Sequence, residues 1–137
     1  MSLTHQGRMP PPTSDPAGKR YKIAFDHNQR IIRATLSGFW SPEDATAFCV
    51  QLNRFLDSSR DQFGLSRTVV DRRECPVQAV EVTEIFAANS LRLQPTDRLA
   101  IVVGSMLAEM QFKRALTHQS IRIFQLVPEA ERWLDEV

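Results

Sequence analysis

Ile121-Arg122-Ile123-Phe124-Gln125-Leu126-Val127, running into Pro128-Glu129-Ala130-Glu131-Arg132-Trp133-Leu134, decides the fold. The first stretch is apolar and β-branched with Arg122 and Gln125 inserted, which is a strand pattern. Pro128 opens a helix, because a proline at the first helical position gives up no hydrogen bond that the helix would have made. Glu129 and Glu131 favour the positive end of that helix. Ala130, Trp133, Leu134 and Val137 recur at i, i+3, i+4 and i+7, so one face is apolar. A strand feeding directly into an amphipathic helix packs as a layered α/β unit.

The same rhythm continues towards the N-terminus. Leu99-Ala100-Ile101-Val102-Val103 is an unbroken apolar run closed by Gly104, the pattern of a central strand covered on both faces. A helix over 105–118 follows, with Ala108, Phe112, Ala115 and Leu116 on one side and Met106 and Met110 on another stripe. Thr68-Val69-Val70-Asp71 reads as a short buried strand. Residues 78–93 read as a helix with Val82, Ile85, Phe86 and Asn89 on one face, broken by Gln94-Pro95-Thr96. Ser41-Pro42-Glu43-Asp44 starts another helix: Ser41 caps, Pro42 fits the first turn and Asp44 stands three residues on. Its stripe is Ala45, Phe48, Cys49, Leu52, Phe55 and Leu56, and Gly64 ends it. Tyr21, Ile23 and Phe25 alternate with Lys22 and Ala24, Asp26-His27-Asn28-Gln29 turns, and Ile31 to Leu36 returns as the second arm of a hairpin. The order β-β-α-β-α-β-α-β-α predicts the α/β class. The sheet should be mixed and mostly parallel, of about five strands with about four helices, joined by right-handed crossovers.

Composition bounds the function. The 137 residues suit one domain, and the hydrophobic fraction of 42% is ordinary for a globular chain. Net charge is +1, and residues 1–20 hold Arg8, Lys19 and Arg20 against Asp15, so the remainder carries 1 − 2 = −1. A folded part without basic excess argues against nucleic acid as a partner. Residues 1–19, with Pro10, Pro11, Pro12 and Pro16, read as a disordered or extended tail, and 20–137 as the α/β domain. There is neither a spanning apolar run nor the apolar core of a secretory signal. Two cysteines, Cys49 and Cys75, read as free thiols of a reducing cytoplasm. They are too few for a metal site, and neither metal nor cofactor is expected.

Candidate sites follow from placement. Asp71-Arg72-Arg73-Glu74 succeeds a buried strand, where open α/β sheets bind ligands. There, Arg72 and Arg73 would hold a carboxylate or phosphate, or the segment is a solvated loop with Asp71 capping its own backbone. Phe39 and Trp40 precede a helix start, as an aromatic lip for a partner or bilayer or as a hydrophobic staple. Met106 and Met110 either pack inward or form a flexible lid over an apolar ligand. Gly104-Ser105 follows a strand but lacks the second glycine of a nucleophile elbow. His5, His27 and His118 assemble no catalytic set, and no glycine-rich phosphate loop is present.

Gly38-Phe39-Trp40-Ser41-Pro42-Glu43-Asp44 resembles the "G-x-(hydrophobic)-(S/T)-x-E-(D/E)" helix entry of the SpoIIAA-like family. Val69-Val70-Asp71 resembles its strand-ending "(hydrophobic)-D", and Leu99 to Gly104 its apolar fourth strand. Ile121-Arg122-Ile123-Phe124 with Pro128 to Leu134 is similar to its "(hydrophobic)-x-F…-x-E-A-x-x-W-L" ending, and the match spans residues 21–137. The resemblance implies the STAS fold of anti-sigma factor antagonists, with helices and sheet in a right-handed βα superhelix. It further implies small apolar ligands, membrane association and a relationship to lipid-binding CRAL-TRIO folds. STAS antagonists carry a phosphorylated serine after an Asp-ended strand. Arg72-Arg73-Glu74-Cys75-Pro76 stands there instead, so that switch does not carry over.

The leading expectation is a non-enzymatic binding or regulatory module. It would take a lipid or small apolar ligand, or a partner protein, with peripheral membrane association. The alternative is a small enzyme with a polar site around Asp71-Arg73. The hairpin leaves an open edge strand, and such edges are paired or covered, so a homodimer is a further expectation.

Overall fold

The computed structural model describes residues 8–136. Its strands are β1 (Thr13–Ser14), β2 (Tyr21–Asp26), β3 (Ile31–Ser37), β4 (Arg67–Glu74), β5 (Arg98–Val103) and β6 (Ile121–Phe124). Its helices are α1 (Pro42–Phe63), α2 (Val80–Ser90), α3 (Met106–Ala115) and α4 (Val127–Asp135). The strands form one mixed sheet in the order β1-β2-β3-β4-β5-β6. β1, β2 and β3 pair antiparallel, and β3 through β6 pair parallel.

The sixth strand comes from the proline-rich segment. Thr13 lies opposite Ile23 and Ser14 opposite Lys22, so β1 covers part of the open hairpin edge. Buried Asp15 fixes the turn that follows, its carboxylate accepting from the Lys19 N–H at 2.8 Å and the Arg20 N–H at 3.3 Å. Residues 1–7 of the expected tail, His5 among them, and Val137 of the terminal apolar face lie outside the described residues.

Alternation along the strands makes two cores. Ile32, Ala34 and Leu36 of β3, Val70 of β4 and Leu99, Ile101 and Val103 of β5 face α1, α2 and α3. Ile31, Val69, Ala100 and Val102 face the other way, where Ala130, Trp133 and Leu134 of α4 cover them. This is why the 99–103 run has no polar position: it is buried on both sides.

Local chemistry sets the element ends. Ser41 and Asp44 form a capping box, the Asp44 N–H donating to Ser41 Oγ at 3.1 Å and the Ser41 N–H to Asp44 Oδ2 at 2.9 Å. Gly64 closes α1 at φ 80°, a left-handed conformation that favours glycine. β6 stops at Phe124, sooner than its apolar pattern suggests. Its only neighbour among the described residues, β5, ends one residue beyond the Val102–Phe124 pair. Val127 then enters α4, with Leu126 at its N-cap.

Candidate functional site

β4 continues past Asp71 to Glu74, and this extension reshapes the polar cluster. Asp71, Arg72 and Arg73 are strand residues with period-two alternation, not a loop. Asp71 and Arg73 share one face: the Arg73 Nε donates to Asp71 Oδ1 at 3.0 Å and Nη2 to Oδ2 at 2.8 Å. Burial tends to raise the Asp71 carboxyl, but the hydrogen bonds from Arg73 outweigh it and hold it below the usual range. Arg73 is half exposed, and neither residue lines any of the three principal cavities among the described residues.

Arg72 points the other way. It is 4% exposed and reaches between α2 and α3, its Cζ 5.1 Å from the centre of the Phe86 ring and 4.4 Å from that of Phe112. It lines a cavity of about 50 Å³ between the sheet and α1, α2 and α3. The walls are mostly apolar, among them Leu52 and Leu56 of α1, Ile101 of β5, Phe112 of α3 and Leu116 just after it. Asn89 and Ser90 also contribute, but both are engaged. Asn89 exchanges two hydrogen bonds with Asn53, at 3.0 and 3.2 Å, and Ser90 Oγ donates to the Ala87 carbonyl at 2.6 Å.

The energetics of Arg72 are unbalanced. Among the described residues three charged side chains are buried: Asp15, Arg72 and Asp97. Each carboxylate has donors. Asp97 accepts from Arg60 Nη2 at 2.6 Å, Ser66 Oγ at 2.8 Å and the Gln94 N–H at 2.7 Å. Arg72 forms no ion pair, and its buried Nε has no hydrogen-bond partner. A guanidinium over a ring gains about 0.5–2 kcal/mol, whereas burying a charge costs several kcal/mol even after relaxation. Two rings therefore do not compensate it fully. The Cys75 thiol lies alongside. Burial pushes that thiol up; Arg72 pulls it down in part, and Asp71 and Glu74 raise it further. At neutral pH it is a neutral neighbour.

The other expected site residues separate. Trp40 is buried against Tyr21, Phe48 and Phe86, and its indole N–H donates to the Ser37 carbonyl at 2.9 Å. Phe39 is 72% exposed, so the pair divides into one core residue and one surface residue. Met106 and Met110 are exposed on α3 beside Leu107 and do not line the cavity. With Val77, Val80 and Leu126 they place exposed apolar side chains just beyond the carboxyl ends of β4, β5 and β6, as Phe39 does beyond β3. Ser105 caps α3, accepting from the Ala108 N–H at 3.1 Å. Gly104 is required there because a Cβ would meet the Arg73 carbonyl oxygen at 2.7 Å.

No family model matches the chain, and no curated protein matches it. Among the described residues no helix is long and apolar enough to cross a membrane. No group of three or more His, Cys, Asp or Glu side chains there could hold a metal ion. Sequence reading named Arg72 as an anion ligand but missed that it is buried at the wall of an apolar cavity. The signal was present: Thr68, Val70 and Arg72 continue one inward-facing alternation.

Proposed function

We propose that the chain is a non-enzymatic binding module of the SpoIIAA-like type that takes a small apolar molecule into the cavity beneath α1, α2 and α3. The cavity carries the reading. Protein interiors pack at crystal density with few voids larger than a water. Here a space of about 50 Å³ sits in the main core, walled by aliphatic and aromatic groups. The strand order supports the superhelix: β3 to β6 add one after another in parallel, and the helices between them pack on one face. Two free cysteines fit a reducing, cytoplasmic setting.

The test is an NMR titration of the full chain with xenon and 1-propanol. Saturable shifts confined to the cavity walls are expected, and Leu52→Phe, which fills the space, should abolish them. Non-saturating shifts spread over the surface would refute the reading.

A second reading, docking on a lipid surface or partner, draws on the exposed apolar side chains at the carboxyl ends of the strands. Arg72 lies near that same end, opposite Val103 in the β4–β5 ladder, so docking would present the cavity to a source of apolar ligand. Flotation with phosphatidylcholine vesicles tests it. Wild type should float, and a Phe39→Asp/Leu107→Asp variant should stay at the bottom of the gradient.

A further inference from the structure

We propose that the cavity ligand is a short aliphatic monocarboxylate, its carboxylate held by Arg72 and its hydrocarbon lying among Leu52, Ile101, Phe112 and Leu116. The inference rests on the reading of the cavity as a ligand site and adds the ligand's charge and class. Three observations carry it.

Arg72 is the one buried charge among the described residues without a counter-charge. Phe86 and Phe112 face its guanidinium but offer no oxygen to its N–H groups. Arginine presents those donors as a planar fork that matches a carboxylate. The other polar side chains at the wall carry no charge and already have partners: Asn89 exchanges hydrogen bonds with Asn53, and Ser90 donates to the Ala87 carbonyl.

The remaining wall is apolar, so the part of the ligand beyond its head must be hydrocarbon. One guanidinium neutralises one negative charge. A phosphate dianion would leave a charge buried without a partner, which selects a carboxylate. Size selects a short chain. A cavity of about 50 Å³ offers roughly three to five water-sized positions, close to the about five non-hydrogen atoms of propionate.

The experiment compares propionate, 1-propanol, propylammonium and inorganic phosphate against the full chain at matched ionic strength, read by NMR titration. Propionate is expected to bind at least about tenfold more tightly than 1-propanol. Propylammonium and phosphate are expected to leave the cavity-wall signals unmoved. Arg72→Met should erase the preference for propionate while 1-propanol still binds, and Arg72→Lys should retain part of it. Should Arg72→Met not fold, the wild-type comparison of acid with alcohol decides alone. Equal binding of propionate and 1-propanol would overturn the inference and leave the apolar-ligand reading standing. A propionate preference that survives in Arg72→Met would also overturn it. Failure of both ligands to bind would overturn the two together.

Discussion

Asp71 and Arg72 are neighbours in the chain and lie on opposite faces of the sheet. One takes a bidentate bond from Arg73 near the solvent; the other enters the core between two phenylalanines. A polar run that looks like one cluster is therefore two separate environments, divided by the thickness of a strand. The residue with no counter-charge is the one beside the cavity.

The two should respond differently to substitution. Asp71→Ala removes a partly exposed ion pair and is expected to cost about 0–1 kcal/mol. Arg72→Met replaces a lone buried charge with an apolar side chain of similar length. It should leave stability unchanged or raise it by about 1 kcal/mol or more. Urea unfolding measures both. A loss above about 2 kcal/mol in Arg72→Met would mean that the rings alone satisfy the guanidinium.

The thiols provide a readout of core integrity. Burial pushes the Cys49 thiol up to about 11. It is buried on α1, so a thiol reagent at about pH 8 should leave it unmodified in the native protein. Cys75 is only partly buried and should account for whatever slow labelling occurs. Cys75→Ser is expected to abolish that labelling, while denatured wild type labels at two positions. Rapid native labelling in Cys75→Ser would show that α1 does not hold Cys49 closed.

The surface and buried aromatics at 39 and 40 separate in the same way. Phe39→Ser should change stability by no more than about 0.5 kcal/mol. Trp40→Ala removes a ring packed against Tyr21, Phe48 and Phe86, and should cost about 3–5 kcal/mol by calorimetry or urea unfolding. A near-neutral Trp40→Ala would argue against this packing.

The fold was legible wherever periodicity was long and unmixed. The 99–103 run, the Ser41–Asp44 cap and the Ala130-Trp133-Leu134 face each declared their burial in spacing alone. β1 was not legible, because two residues in a proline-rich segment carry no period. The candidate site was half legible. Arg72 was visible as a candidate ligand for an anion, but four charges in succession read as a loop, and only pairing with β5 at Asp71 and Arg72 and with β3 at Asp71 and Glu74 shows that they remain strand. Asp97 gave little local signal. Gln94 is a partner within the same loop, but Arg60 and Ser66 lie on distant segments that reach it only after folding.

Asp97 yields the sharpest prediction. Burial favours its neutral form, but hydrogen bonds from Arg60, the Gln94 N–H and Ser66 outweigh that and hold the carboxyl below its usual range. A carboxyl whose folded pKa lies below its unfolded value, about 3.9, stabilises the fold above that value and loses the contribution as pH falls through the folded one. Asp97→Asn keeps the shape and removes the charge, leaving Arg60, itself largely buried, without its main carboxylate. At about pH 7 the variant should be less stable than wild type by about 3 kcal/mol. On acidification below about pH 4 the wild type loses the same charge, so the two urea curves should converge. A gap that stayed constant down to acid pH would assign the effect to packing around residue 97 rather than to the ion pair that ties α1 to the α2–β5 loop.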